Sequence, residues 1–467
     1  MVKNLFCVFV CLLLLSCSNS NTDEDSTTVI GGEIVNPKTN NVVLFKDDAV
    51  IDTIPLSEDN TFFYTLDNPK AGLYSFQHSE FQMFYLEPGD SLMLRLNTLD
   101  FDESLQYSGE GAKENNFLMD LFLQNENDAK ALVNYYMLPP AEFQAKLDSI
   151  EKVNNKKYKA FLKKNDFSEG FKNVAQSNLD YYGYTKKEMY TSVFNKNEER
   201  VAQGNFPKDF YDYRDDIDFG NSKLRTYYPY YRFLDVYFDN VAYPLYKDEL
   251  DPNRRSFIHN YNKIKLIDSL ITNDSLKEKL IVRNMRRYLL HAKDPEKEKE
   301  MLAFFKTYVD DPKTINTMEQ LASATMKLTP GQKIPNVVLV NTDNTANNLL
   351  SLLKKPTVLY FWSIESVKHF KEIHAKAAEL ASKYPEYQFI GINTDTHYKK
   401  WKKAVQASGY NESNEYQFED IENAEHDLVL TSHNKAMVVS AEGTIWESNT
   451  NLFNPKIEQQ LLGFLNN

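Results

Sequence analysis

The sequence predicts a multidomain α+β protein with a small N-terminal β sandwich or barrel, a central helical domain and a C-terminal α/β domain. Three observations carry this. Residues 29–110 hold short runs of β-branched and aromatic residues, broken by turn residues about every ten positions. Residues 111–328 show apolar positions at helical spacing. From residue 329 onward, apolar runs alternate with helical patterns, as strands joined by crossover helices do. A chain of 467 residues is too long for one ordinary core, so several domains are expected. Hydrophobic residues at 42% and charged residues at 25% give a globular balance and exclude a disordered or collagen-like chain.

At the N-terminus, Lys3 precedes an apolar run over residues 5–15. That length suits a signal-peptide core and is too short to span a bilayer. The run ends in Leu14-Leu15-Ser16-Cys17, which resembles the bacterial lipobox. The resemblance implies that residues 1–17 are a lipoprotein signal peptide, cut before Cys17, and that Cys17 is acylated. Several acyl chains give stable membrane attachment where one would be marginal. Residues 18–28 are polar and acidic and read as a flexible tether. Ser18 is not Asp, so an inner-membrane retention signal of the enterobacterial kind is absent. The acidic residues resemble surface-export signals of Bacteroidetes lipoproteins. The expected location is the cell envelope, as an outer-membrane lipoprotein facing the periplasm or the surface. The three cysteines are Cys7, Cys11 and Cys17. Two would leave with the signal peptide and the third would carry lipid, leaving no disulfide, thiolate metal site or cysteine nucleophile.

Strands are expected at 42–45, 50–54, 61–66, 73–76, 82–86 and 91–96, separated by turn signals such as Asp47-Asp48 and Pro88-Gly89-Asp90. That last turn, followed by Ser108-Gly109 and Asn115, resembles the β domain on many Bacteroidetes thioredoxin-type lipoproteins. Helices are expected at 112–124, 140–164, 254–271, 276–291 and 296–309, with Pro140 at a start and Asn273-Asp274-Ser275 as caps. The aromatic segment from Tyr227 to Phe238 reads as inter-helix packing or as a partner or glycan surface. No internal repeat of fixed period is visible.

In the C-terminal third, strands are expected at 337–340, 356–362, 388–393, 436–439 and 444–446, and helices at 366–383, 399–408 and 457–465. Here Pro330-Gly331-Gln332-Lys333-Ile334-Pro335, Val358-Leu359-Tyr360-Phe361-Trp362, Phe389-Ile390-Gly391-Ile392-Asn393-Thr394-Asp395 and Val438-Val439-Ser440-Ala441-Glu442-Gly443 resemble the redoxin and TlpA-like thiol-disulfide oxidoreductases. The resemblance covers residues 329–467 and implies a thioredoxin-like fold. It does not imply the family's chemistry. In that family the tryptophan precedes Cys-x-x-Cys, whereas this chain reads Trp362-Ser363-Ile364-Glu365-Ser366. A hydroxyl can form no mixed disulfide and no sulfenic acid intermediate. Asn434 stands where the family has a cis-proline, so a trans bond and an altered loop are expected. Lys371 replaces a helix proline.

A relocated hydrolytic site is the competing reading. Glu365, Ser366 and His369 share one helix face, but residues side by side on a helix rarely converge on one reacting atom. A serine hydrolase also needs an oxyanion hole. Capping of free N–H groups by Ser363 or Ser366 is the simpler expectation. No His-Glu-x-x-His, P-loop or Gly-x-Ser-x-Gly occurs, so no catalytic residue, metal or cofactor is expected. Net charge is −13, which disfavours nucleic acid. The expected partners are the membrane, through Cys17, and a protein or peptide held by a redox-inactive thioredoxin-like domain in a binding or scaffolding role. A non-catalytic accessory of an envelope redox or folding pathway is a further reading.

Overall fold

A computed structural model describes residues 27–245 and 253–466. Cys17, the signal peptide and most of the expected tether lie outside the described residues. The described chain divides into two compact units, residues 27–216 with 223–233, and residues 217–222 with 234–466.

The first unit begins with β1 (Thr28–Val35), β2 (Asn41–Lys46), β3 (Ala49–Pro55), β4 (Thr61–Leu66), β5 (Gly72–His78), β6 (Glu80–Leu86) and β7 (Ser91–Asn97). A single turn, α1 (Phe101–Ser104), leads to β8 (Gln106–Ser108). Two four-stranded sheets form, ordered β4-β1-β7-β8 and β3-β2-β5-β6. Alternate residues of each point into one shared core, including Ile30, Ile34 and Leu94 from the first and Leu44, Phe76 and Phe84 from the second. Of the two expected architectures, this is the sandwich. The sequence reading left out β1, which pairs in parallel with β7 and antiparallel with β4.

The short motifs noted after β6 act as joints. Asp90 Oδ2 accepts from the Glu87 amide at 2.7 Å, closing the turn. Gly109 has φ +88, and a Cβ there would come within 1.9 Å of the Ser91 carbonyl oxygen, so only glycine fits. Asn115 accepts from the Tyr85 amide at 2.7 Å and donates to its carbonyl at 2.8 Å. That pins α2 (Ala112–Tyr135) to the free edge of β6. Then follow α3 (Pro140–Leu162), α4 (Glu169–Phe194), α5 (Glu198–Gln203) and α6 (Tyr228–Ala242). The division between units falls inside α6, after Phe233. The aromatic segment is mostly buried, as packing requires, with Tyr227, Tyr230, Phe233 and Phe238 at 5% exposure or less, but Tyr228 is 52% exposed.

The second unit continues with α7 (Phe257–Leu270), α8 (Asp274–Leu289), α9 (Pro295–Phe305) and α10 (Pro312–Lys327). Asn273 caps α8 by accepting from the Leu276 amide at 3.0 Å. The sheet region comprises β9 (Val338–Val340), β10 (Ala346–Asn348), α11 (Leu349–Leu352), β11 (Thr357–Trp362), α12 (Val367–Lys383), β12 (Gln388–Asn393), α13 (Tyr398–Ser408), β13 (Glu415–Phe418), α14 (Ile421–Asp427), β14 (Ala436–Val439), β15 (Ile445–Thr450) and α15 (Ile457–Leu465). Strand order is β10-β9-β13-β12-β11-β14-β15. The central β11 runs parallel to β12 and antiparallel to β14. Every residue of β11 is buried, because helices cover both faces. Tyr360 and Trp362 pack with Phe370 of α12, Trp401 of α13 and Leu461 of α15. Leu359 and Phe361 pack on the other face with Ala424 of α14 and Ala324 of α10. The elements β11-α12-β12-α13-β14-β15-α15 follow the expected order. The sequence reading missed β10, and also β13 and α14, which are inserted before β14.

Candidate functional site

The loop between β11 and α12 is where a thioredoxin-type enzyme would keep its sulfurs. Ser363 is 4% exposed, and its Oγ donates to Asp395 Oδ1 at 2.6 Å. The other oxygen of that carboxylate accepts from the Ile364 amide at 2.7 Å and from Asn393 Nδ2 at 2.8 Å. Ser363 Oγ also accepts from the Glu365 amide at 3.1 Å. Gln417 of β13 donates to Asn393 Oδ1 at 3.0 Å. One carboxylate at the end of β12 therefore satisfies the hydroxyl and an amide of the loop just ahead of α12. The amide that Ser363 accepts from, that of Glu365, lies in the loop ahead of α12, so this bond orders the loop and does not cap the helix. Ser366, at the cap position of α12, makes no side-chain capping bond.

The remaining expected positions do not join a reacting centre. Burial lowers the pKa of His369, and neither of its ring nitrogens bonds a serine. Thr394 Oγ1 lies 3.3 Å from His433 Nδ1. Asn434 is exposed, and its amide donates to Ser432 Oγ at 3.2 Å. No cis peptide occurs among the described residues. Among those residues, no group of three or more His, Cys, Asp or Glu is placed to hold a metal ion.

Beneath the loop lies a polar network that sequence reasoning missed. Glu415, 3% exposed, accepts from the Tyr360 hydroxyl at 3.0 Å and from Trp362 Nε1 at 3.1 Å. His374 Nε2 stands 3.2 Å from the same carboxylate, and its ring stacks on Tyr410 at 3.9 Å. Burial, then the Glu415 charge, raises the Tyr360 phenol well above its ordinary value. A Cβ at Gly391 would lie 2.6 Å from Glu415 Oε2, so the glycine leaves room for the carboxylate. Lys435, next to Asn434, is also buried. Its ammonium donates to the Leu428 carbonyl at 2.6 Å and the Val429 carbonyl at 3.1 Å, and burial pushes its pKa down to about 7. Val429 sits at φ +50, a strained conformation for a β-branched residue. The only signal for Glu415 in the sequence is a charged residue at the start of an aromatic run, Glu415-Tyr416-Gln417-Phe418.

No protein-family model matches the chain, and no curated protein matches it. Among solved structures, the chain is similar to the thioredoxin domain of a thiol-disulfide oxidoreductase from Bacteroides vulgatus. That likeness has 16% identity and a TM-score of 0.25, over 29% of this chain and 98% of that one. It is also similar to a thiol:disulfide interchange protein from a Bacteroides species, with 17% identity and a TM-score of 0.26, over 30% of this chain and 93% of that one. The thioredoxin-like fold of the C-terminal region rests on the strand order and pairing given above.

Proposed function

We propose that this chain is a cell-envelope lipoprotein, anchored through Cys17, whose thioredoxin-like region performs no thiol chemistry and serves as a binding or scaffolding unit. The observation that carries the reading is the Asp395 carboxylate, bonded to both Ser363 and the Ile364 amide. A thioredoxin-type enzyme needs that loop to favour a thiolate, through a helix N-terminus and free amides. Here a built-in negative charge takes those donors, and residues 363 and 366 are serines. The loop is tied up by its own side chains, an arrangement suited to a rigid surface. Its partner on this reading is a protein or peptide, and the acidic chain binds no nucleic acid. The stretches that go with it are β-rich over 29–110, helical over 111–328 and thioredoxin-like over 329–467, with the helical stretch shared between the two compact units.

The test is insulin reduction by the purified protein, followed by crosslinking and detergent solubilisation in the native organism. The expected result is no reductase activity and a partner recovered in constant ratio. Turnover of insulin would overturn the redox part, and repeated absence of any stoichiometric partner would overturn the scaffolding part.

A further inference from the structure

Residues 428–435 join α14 to β14 and pass beside the loop that holds Ser363. Residues 431–434 are exposed, whereas Lys435 is 6% exposed. The amides of Leu430, Thr431, Asn434 and Lys435 all find acceptors between residues 425 and 432. The loop is therefore closed on itself and can move without breaking a strand pair. Toward the site, His433 Nδ1 lies 3.3 Å from Thr394 Oγ1, and its ring stands 6.3 Å from that of His369 on α12. Leu428 and Val429 are the fixed end, since both pack into the core with β11 and β12. Val429, at φ +50, marks the bend.

Lys435 is the fastening. Its Nζ donates to the carbonyls of Leu428 at 2.6 Å and Val429 at 3.1 Å, which ties the far end of the loop to the near end. Those acceptors carry no charge. Glu447 of β15, the carboxylate that acts on Lys435, is bonded elsewhere. Its Oε2 accepts from Lys293 at 2.8 Å and its Oε1 from the Asn449 amide at 3.1 Å. A cavity of about 10 Å³ beside Lys435 is otherwise lined by uncharged residues, among them Leu290 past α8, Thr325 of α10 and Ser448 of β15. His291, near Glu447, is held neutral by burial, which lowers its pKa. An ammonium in this seat loses hydration without a charge partner to replace it. A neutral amine has two N–H groups, one for each carbonyl.

We propose that residues 430–435 are a proton-gated flap: a proton taken up at Lys435 draws its side chain out to water and lifts the loop off Thr394 and His369. In the closed loop, burial holds the Lys435 pKa down at about 7. In water a lysine titrates near about 10.4. Between those values opening takes up a proton, so the open fraction grows as pH falls, and it levels off once both states are protonated. Opening bares surface beside Ser363, where a partner is proposed to bind, but the flap does not depend on that reading.

The experiment is hydrogen exchange, read by mass spectrometry on the detergent-solubilised full chain from about pH 8 to 10, above the range in which histidines titrate. Dividing by the rates of unstructured peptides gives opening constants. For amides 430–435 the constant should rise about tenfold for each unit that pH falls, while amides of β12 stay level. Lys435→Met keeps the length and removes the charge, so it should flatten the response of the loop; circular dichroism confirms its fold. The wild-type slope, with β12 as internal standard, reads the flap even if that variant fails to fold. A loop constant indifferent to pH, a slope that persists in folded Lys435→Met, or a slope shared by β12 would overturn the proposal.

Discussion

Asp395 governs what residue 363 can do. With a carboxylate oxygen 2.6 Å from the residue-363 side chain, a thiol placed there would have to ionise beside an existing negative charge, which raises its pKa. The variant carrying Ser363→Cys and Ser366→Cys is expected to titrate above the ordinary cysteine value of about 8.5. Adding Asp395→Asn is expected to lower that value by about one unit or more, read from thiolate absorbance against pH. Identical titrations with and without Asp395 would remove it from the argument. A second buried carboxyl gives a pH signature. Glu298 of α9 is fully buried. It accepts from Thr325 Oγ1 at 2.8 Å, and burial pushes its pKa up to about 7. In the unfolded chain it would titrate near about 4.3. Between those values the folded state holds a proton that the unfolded state has lost, so stability falls as pH rises through that window. Glu298→Gln keeps an acceptor for Thr325 without the charge. It should gain on the order of 2–3 kcal/mol at pH 8 and little at pH 4, measured by urea unfolding at both values. An equal effect at both would show that the carboxyl is not held protonated.

At the level of elements, legibility followed periodicity. The strand β11 was readable because all six residues are apolar or buried by necessity, and α8 because its cap and its apolar spacing agree. The strand β13 was not, because Glu415 and Gln417 sit where an edge or loop pattern would put them. They are buried only because Tyr360, Trp362 and Asn393 bond them. The helix α4 was missed because its tyrosines and charges blur the apolar stripe; packing of Tyr181 and Tyr190 on other rings decides it. Of the site, Ser363, Ser366 and Asn434 were legible by likeness to a motif. The partners of Ser363 across the sheet were not, since they lie about thirty residues on and meet only after β11 and β12 pair. If β13 is held by that network, Glu415→Ala, which strands two buried donors, should cost about 3–5 kcal/mol. Glu415→Gln, which keeps an acceptor, should cost less than half as much. Tryptophan emission reads this well, because Trp362, Trp401 and Trp446 all belong to the second unit. Equal losses would mean that volume, not hydrogen bonding, sets the place of Glu415.

For the whole molecule, composition separated a β-rich, a helical and an α/β stretch, whereas packing groups the helices differently. Ala324 and Leu328 contribute to the same core as β11 and β12, so α10 folds with the C-terminal sheet. Composition cannot show this, because an amphipathic helix looks the same whichever core receives it. The proposed anchor is likewise a property of the whole chain. No helix among the described residues is long and apolar enough to cross a membrane. On the proposed reading, attachment runs through Cys17. Lipid attachment grows by about 0.8 kcal/mol per buried methylene, and a lone acyl chain holds only marginally. The net charge of −13 adds repulsion from an anionic surface rather than a second grip. Acylation at Cys17 should then be all-or-none for membrane retention. Cys17→Ala is expected to abolish palmitate labelling and to shift the protein from the detergent phase to the aqueous phase in a Triton partition. Retention of the unlabelled variant in the detergent phase, unchanged by high salt, would show an apolar attachment elsewhere in the chain and overturn the lipoprotein reading.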